Sequence, residues 1–144
     1  ENLDRREGAN ARVHSGDILR LTATEISRSG LPRRYSCVLL DAPCSNTGVL
    51  RRRPDAKWRL EPADIAKAAK LQLCLLSRAS DFVKPAGRLV YSTCSVETEE
   101  NGAVVEKFLD RVGARFKLVD AHHYNPVSDG HDGGSAFLFQ SDTA

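Results

Sequence analysis

Two hydrophobic periods run along this chain. Residues 35–40 end in Cys37-Val38-Leu39-Leu40, apolar at successive positions, which predicts a strand buried on both faces in the middle of a parallel sheet with helices on either side. After the polar stretch 41–59, Pro62 opens a segment with Ile65, Ala68, Ala69, Leu71, Leu75, Leu76, Ala79, Phe82 and Val83 at helical spacing, and proline suits a first helical turn. Lys84-Pro85-Ala86-Gly87 is expected to stop this helix before a strand at Leu89-Val90-Tyr91. Strand, helix, strand predicts a parallel crossover. A further helix is predicted with Glu97, Glu99 and Glu100 in its first turn and Val104, Val105, Phe108, Leu109 and Val112 on one face. Strands at 116–119 and 136–139 then suit an antiparallel pair. Upstream, residues 1–8 read as a helix end capped by Gly8, 11–14 as a short strand, and 18–29 as a weakly periodic helix broken by Gly30-Leu31-Pro32.

The 144 residues suit one domain, 41% hydrophobic and 28% charged, with no apolar run near the ~20 residues of a membrane span. The chain starts without Met, contains none, and shows no signal peptide, so it is expected to be cut from a longer parent. A net charge of +2 says little globally, but Arg51, Arg52, Arg53, Lys57 and Arg59 crowd one connection in which only Asp55 opposes them. That cluster, next to Trp58, points to RNA phosphate contact; Trp58 is equally a packing anchor or a base-stacking surface. The four cysteines lack C-x-x-C spacing and imply free thiols in a reducing, cytoplasmic setting. Cys37 and Cys74, inside apolar runs, are expected to be inert core thiols. His122, His123, His131 and Asp132 form a loose set whose spacing matches no metal site, so no metal is expected.

Candidate chemistry lies at two strand ends. In open α/β sheets ligands bind beyond the carboxyl ends of the strands, which brings Asp41-Ala42-Pro43-Cys44-Ser45-Asn46-Thr47-Gly48 and Ser92-Thr93-Cys94-Ser95 to one rim. If the two strands are neighbours, Cys44 and Cys94 face one pocket with Asp41 close by, an arrangement suited to covalent catalysis.

With Asp41-Ala42-Pro43-Cys44-Ser45 and Thr47-Gly48, Arg52, Pro54 and Asp55 ahead of Lys57-Trp58, and Thr93-Cys94-Ser95 with Glu99, Glu100 and Asn101, the chain resembles the Sun-type RNA 5-methylcytosine methyltransferases over nearly its whole length. Asp132-Gly133-Gly134-Ser135-Ala136-Phe137 departs from the family's usual Asp-Gly-Phe-Phe. The resemblance implies an α/β fold: the C-terminal portion of a Rossmann-like S-adenosylmethionine-dependent methyltransferase sheet, mostly parallel, with an antiparallel terminal hairpin. Residues 1–144 would then be a partial catalytic domain lacking the first strands and the glycine-rich donor loop. By similarity, Cys94 is the nucleophile that adds to cytosine C6, Cys44 helps release the methylated product, and Asp41 meets the N3/N4 edge of the base. Asp17, Asp41 and Pro43 would contact S-adenosylmethionine, while Arg51, Arg52, Arg53 and Lys57 would bind RNA, ribosomal RNA foremost. The N-terminus of the helix after Cys94 would help its thiol ionise.

An incomplete donor site implies that the isolated chain is inactive, and an uncovered strand near Val13 invites pairing with a second copy. Three other readings stay open: Cys44 as nucleophile, as in DNA cytosine methyltransferases with a Pro-Cys motif; a non-catalytic RNA-binding remnant of the fold; and, weakest, a redox dithiol.

Overall fold

The structure, a computed structural model, describes residues 13–143. Its frame is a four-stranded sheet built from β1 (Tyr35–Asp41), β2 (Val83–Thr93), β3 (Phe116–Tyr124) and β4 (Gly134–Ser141). In space the order is β1-β2-β4-β3. β1 and β2 run parallel, with Val38 opposite Leu89 and Asp41 opposite Ser92. β4 pairs antiparallel with both β2 and β3, so the expected terminal hairpin is present. The parallel part of the sheet consists, among the described residues, of the β1–β2 pair.

The helices are α1 (Ala23–Arg28), α2 (Pro54–Arg59), α3 (Pro62–Ser80) and α4 (Gly102–Val112). Leu73, Leu76 and Ala79 of α3 and Val104, Val105 and Phe108 of α4 meet Leu89, Tyr91, Phe137 and Phe139 in one core. Phe108 is fully buried, its ring centroid 5.1 Å from Phe139 and 5.8 Å from Phe116. The long helices therefore cover one face of the sheet. On the other face β2 presents Arg88 and Val90, with Cys37 and Leu39 beside them on β1, and Leu39 is 66% exposed.

That one-sided cover corrects two readings. β1 is an outer strand among the described residues, paired only with β2, and Cys37 is exposed instead of packed. Cys74 is exposed too, because it lies with Leu71 on the side of α3 turned away from the core. An apolar run records which side chains could be buried, not which face receives a cover.

Element ends also differ. The predicted helix end through Gly8 and residues 11–12 of the predicted strand lie outside the described residues, and Val13 and His14 form no strand. α1 is shorter than residues 18–29 because Asp17 starts a separate turn, its carboxylate accepting from Leu19 N at 2.9 Å. Thr22 then restarts the chain with a capping box: its Oγ1 accepts from Glu25 N at 3.2 Å and its N donates to Glu25 Oε2 at 2.8 Å. α3 ends at Ser80 rather than Lys84, and Lys84-Pro85-Ala86-Gly87 enters β2. α4 begins at Gly102, after a 3-10 turn at Thr98–Glu100, so the acidic residues precede the helix and Glu100 is buried.

Because Phe108 joins α4 to both antiparallel strands, Phe108→Ala should cost about 3–5 kcal/mol through lost contacts and a residual cavity. Urea denaturation should show this as a lower midpoint with an unchanged slope.

Candidate active site

The ladder between β1 and β2 ends with Asp41 opposite Ser92, and Ala42 N donates one more bond to Ser92 O at 2.9 Å. Past that point the two loops converge. Cys44 Sγ and Cys94 Sγ lie 3.1 Å apart, both partly buried. Asp41, three residues before Cys44, stays exposed and accepts from Ser92 Oγ at 3.0 Å. The structure thus brings Cys44, Cys94 and Asp41 to one rim.

Local chain geometry explains the turn. Asn46 adopts a left-handed conformation (φ 63°), which asparagine tolerates better than most residues. Its side chain bridges the loops: Nδ2 donates to Cys44 O at 3.0 Å, and Oδ1 accepts from Cys94 Sγ at 3.1 Å. Gly48 N donates to Cys94 O at 3.0 Å, and Gly133 N donates to Gly48 O at 2.8 Å. A Cβ on Gly48 would press on Gly133 O and stand 2.8 Å from Cys94 O. Three backbone segments approach closely here, which leaves no room for a side chain at Gly48.

Beneath the thiols lies a buried polar layer. Glu100, 0% exposed, accepts from Ser45 N at 2.9 Å, Gln72 Nε2 at 2.9 Å and Ser95 Oγ at 2.5 Å, and from Ser45 Oγ. Asn101 accepts from Thr93 Oγ1 at 2.7 Å and donates to the Ser95 and Glu97 carbonyls. Val96 N and Glu97 N donate to Thr47 Oγ1 and Ser95 Oγ. The amides after Cys94 are thus occupied, and with α4 starting only at Gly102 no helix N-terminus directly follows this thiol.

The family model for 16S rRNA methyltransferase RsmB/F matches residues 1–136. The chain belongs to that family. A ribosomal RNA small subunit methyltransferase B from Salmonella arizonae is 52% identical over 79 residues, a stretch covering 55% of this chain and 18% of that relative. The matched stretch is therefore less than one fifth of that relative's length. Among solved structures, PH0851 superposes with a TM-score of 0.72 at 29% identity, covering 82% of this chain and 33% of its own. NSun6 from Pyrococcus horikoshii, solved with SFG, gives a TM-score of 0.63 at 22% identity over 82% of this chain and 37% of its own, a likeness of fold. The family's enzymes are S-adenosylmethionine-dependent methyltransferases.

Of the three expected donor contacts, Asp41 and Pro43 lie at the thiol rim and Asp17 does not. The turn that Asp17 opens is tied to α3 near its C-terminal end, where Arg78 donates to the carbonyls of Ile18 at 3.2 Å and Leu21 at 2.5 Å. Its neighbours Gly16 and Ile18 line a cavity with Tyr35, Val38 and Phe82, on the part of β1 that precedes the Asp41 rim. Asp17 thus stands apart from the rim that holds Asp41 and Pro43.

The basic connection is partly compensated. Asp132 accepts from Arg52 at 2.7 Å and Arg51 at 3.5 Å, and Asp55 pairs with Arg59 at 2.6 Å. Arg53 and Lys57 face no carboxylate among the described residues, and Trp58 is 82% exposed with Lys57 Nζ 5.6 Å from its ring centroid. Exposure removes the packing-anchor reading of Trp58. The rings of His122 and His131 both meet Tyr124, one tilted and one edge-on, and His123 bonds Ser135; among the described residues no His, Cys, Asp or Glu group is arranged to hold a metal. No described helix is long and apolar enough to cross a membrane.

Sequence reasoning did not single out Asn46, Gln72, Glu100 or Asp132 as site residues. Gln72 carried a usable signal, a polar residue four positions from both Ala68 and Leu76 inside an apolar stripe.

Burial, then the hydrogen bond with Cys94, pushes the Cys44 thiol from an ordinary 9.0 up to about 12. Folding therefore favours its protonated form, a stabilisation complete below about pH 9 and lost as the pH climbs toward 12. Tyr91 is also raised, by burial first, then by Glu100 and by Cys44, and the variant removes only the last and smallest of these. Thermal midpoints recorded from about pH 8 to about pH 11 should accordingly fall more steeply for wild type than for Cys44→Ala.

Proposed function

We propose that this chain carries the thiol half of an RNA cytosine-C5 methyltransferase that modifies ribosomal RNA in the cytoplasm with S-adenosylmethionine as donor. The observation that carries this reading is the 3.1 Å approach of Cys44 and Cys94 at a sheet rim that also holds Asp41. Membership of the RsmB/F family and the Salmonella relative's name support ribosomal RNA as substrate.

Cytosine C5 is too weak a nucleophile to take a methyl group directly. Cys94 Sγ, as thiolate, adds to C6 of a base drawn out of its stack, and the displaced π electrons make C5 enamine-like. Asp41 accepts from the N4 amino edge and offsets the positive charge there. S-adenosylmethionine supplies the electrophilic methyl carbon. Once S-adenosylhomocysteine has left, a solvent water takes the C5 proton, and the electrons of that C–H bond restore the C5–C6 double bond and expel Cys94 as thiolate. Cys44, whose raised value keeps it a thiol, stands close enough to donate a hydrogen bond to the departing sulfur. The resemblance to the Sun-type enzymes gives the nucleophile's part to Cys94 rather than Cys44. Arg53, Lys57 and Trp58 form the outer RNA contact, joined by Arg51 and Arg52 when phosphates replace Asp132.

Trapping on RNA containing 5-azacytidine tests the assignment, with this sequence replacing the matched segment of the full-length Salmonella arizonae relative. Cys94→Ala should abolish the covalent adduct, and Cys44→Ala should keep it. The reverse pattern would exchange the two roles.

With Asp17 far from the rim, the 144-residue chain alone should bind S-adenosylmethionine very weakly and transfer no methyl group. Calorimetric titration should show no saturation in the micromolar range, and a micromolar Kd would refute the idea of an incomplete donor site.

A further inference from the structure

We infer that Glu100 is the positioning residue that sets the spacing of the two thiols. The inference takes its catalytic meaning from the function proposed above, but its geometry stands apart from it. Cys44 and Cys94 sit on separate loops, beyond the last rung of the β1–β2 ladder, so strand pairing alone does not fix their sulfurs. The residues directly after them, Ser45 and Ser95, both donate to one carboxylate. Glu100 Oε1 accepts from Ser45 N and from Gln72 Nε2, each at 2.9 Å, while Oε2 accepts from Ser95 Oγ at 2.5 Å and from Ser45 Oγ.

This is the acceptor-only pattern of a carboxylate, with donors on both oxygens. Among the described residues no basic side chain pairs with it. Burying such a group without a cation is costly unless it is fully hydrogen-bonded, so a site that served only packing would be filled more cheaply by an apolar residue. Gln72 deepens the point: Nε2 also donates to Pro43 O at 2.9 Å, and its buried Oε1 has no partner. From the other side Tyr91 OH donates to Glu100 O at 2.6 Å and anchors the residue to β2. Glu100 is thereby fixed to the sheet and to α3, and the two thiol loops are fixed to Glu100. Glutamine in its place would offer one acceptor oxygen and turn an NH2 group toward the Ser45 and Ser95 hydroxyls, which would have to reverse from donating to accepting and lose their two charge-assisted bonds.

The spacing can be read without any methyl transfer. In glutathione buffers the pair exchanges with one oxidised glutathione, giving the Cys44–Cys94 disulfide and two reduced glutathiones, and the equilibrium reports the effective concentration of one thiol at the other. Cys37 and Cys74, both exposed, are replaced by serine in every protein compared. Glu100→Gln should lower that effective concentration at least tenfold, about 30 mV for this two-electron couple. Tyr91→Phe, which weakens the anchor without touching the carboxylate bonds, should lower it in the same direction by a smaller factor. A folded Glu100→Gln protein with the wild-type equilibrium would overturn the inference. Should that variant not fold, Ser45→Ala, which removes one hydroxyl donor and keeps the amide, should shift the equilibrium the same way by a smaller factor, and no shift there would overturn it equally. Failure of the 5-azacytidine adduct beside a Glu100-dependent thiol equilibrium would instead defeat the methyltransferase reading alone.

Discussion

Parallel pairing of β1 with β2 is the constraint on which the rest depends. Asp41 and Ser92 are opposite each other at the last rung, so the loops after the two strands leave the sheet side by side and in the same direction. A slip of β1 by one residue would turn Val38 and Leu40 from the covered face to the open one, away from Leu89 and Tyr91, and register is therefore specified by the core. The same packing that buries Leu89 and Tyr91 under α3 and α4 also fixes where Cys44 and Cys94 begin their approach.

Past the ladder, control passes from packing to hydrogen bonds. The loops are held by short polar side chains and close backbone contacts: Asn46 across to Cys94, Thr47 to Val96 N, Gly48 to Cys94 O, and Gly133 behind Gly48. Apolar residues could bury this volume with less desolvation, but they could not meet the free N–H and C=O groups of two irregular loops lying against each other. The polar layer around Glu100 and Asn101 answers that requirement, and it sits directly beneath the pair of sulfurs.

The thiol pair, Asp41 and the crossover were legible because each follows from a local pattern: an apolar strand, a polar strand end, a helix opened by Pro62. The buried role of Glu100 was not. Beside Glu97 and Glu99 it read as one of three helix-start charges, and only the late start of α4 at Gly102 turns it inward. Cys37 and Cys74 went the other way, since periodicity records apolar character while burial depends on a covering element. Asp17 was placed by resemblance, and its own turn, held by Arg78, set it at the far end of the sheet. In each case long-range partners decide where a residue of given chemistry comes to lie.

Asp132 shows the same principle acting on charge. In sequence Arg51 and Arg52 belong to a basic run with Asp55 as its local opponent, yet a residue from the loop before β4 pairs with both. The pairs are largely exposed, and contacts of that kind contribute about 0–1 kcal/mol. A phosphate carries comparable charge with more acceptor oxygens and can displace Asp132 from them at small cost. Arg53 and Lys57, with no carboxylate partner among the described residues, would meet an approaching polyanion first. Because Gly133, next to Asp132, is bonded to Gly48, the arginine partner and the thiol loops rest on one backbone junction, which places the charged surface beside the sulfurs it would serve.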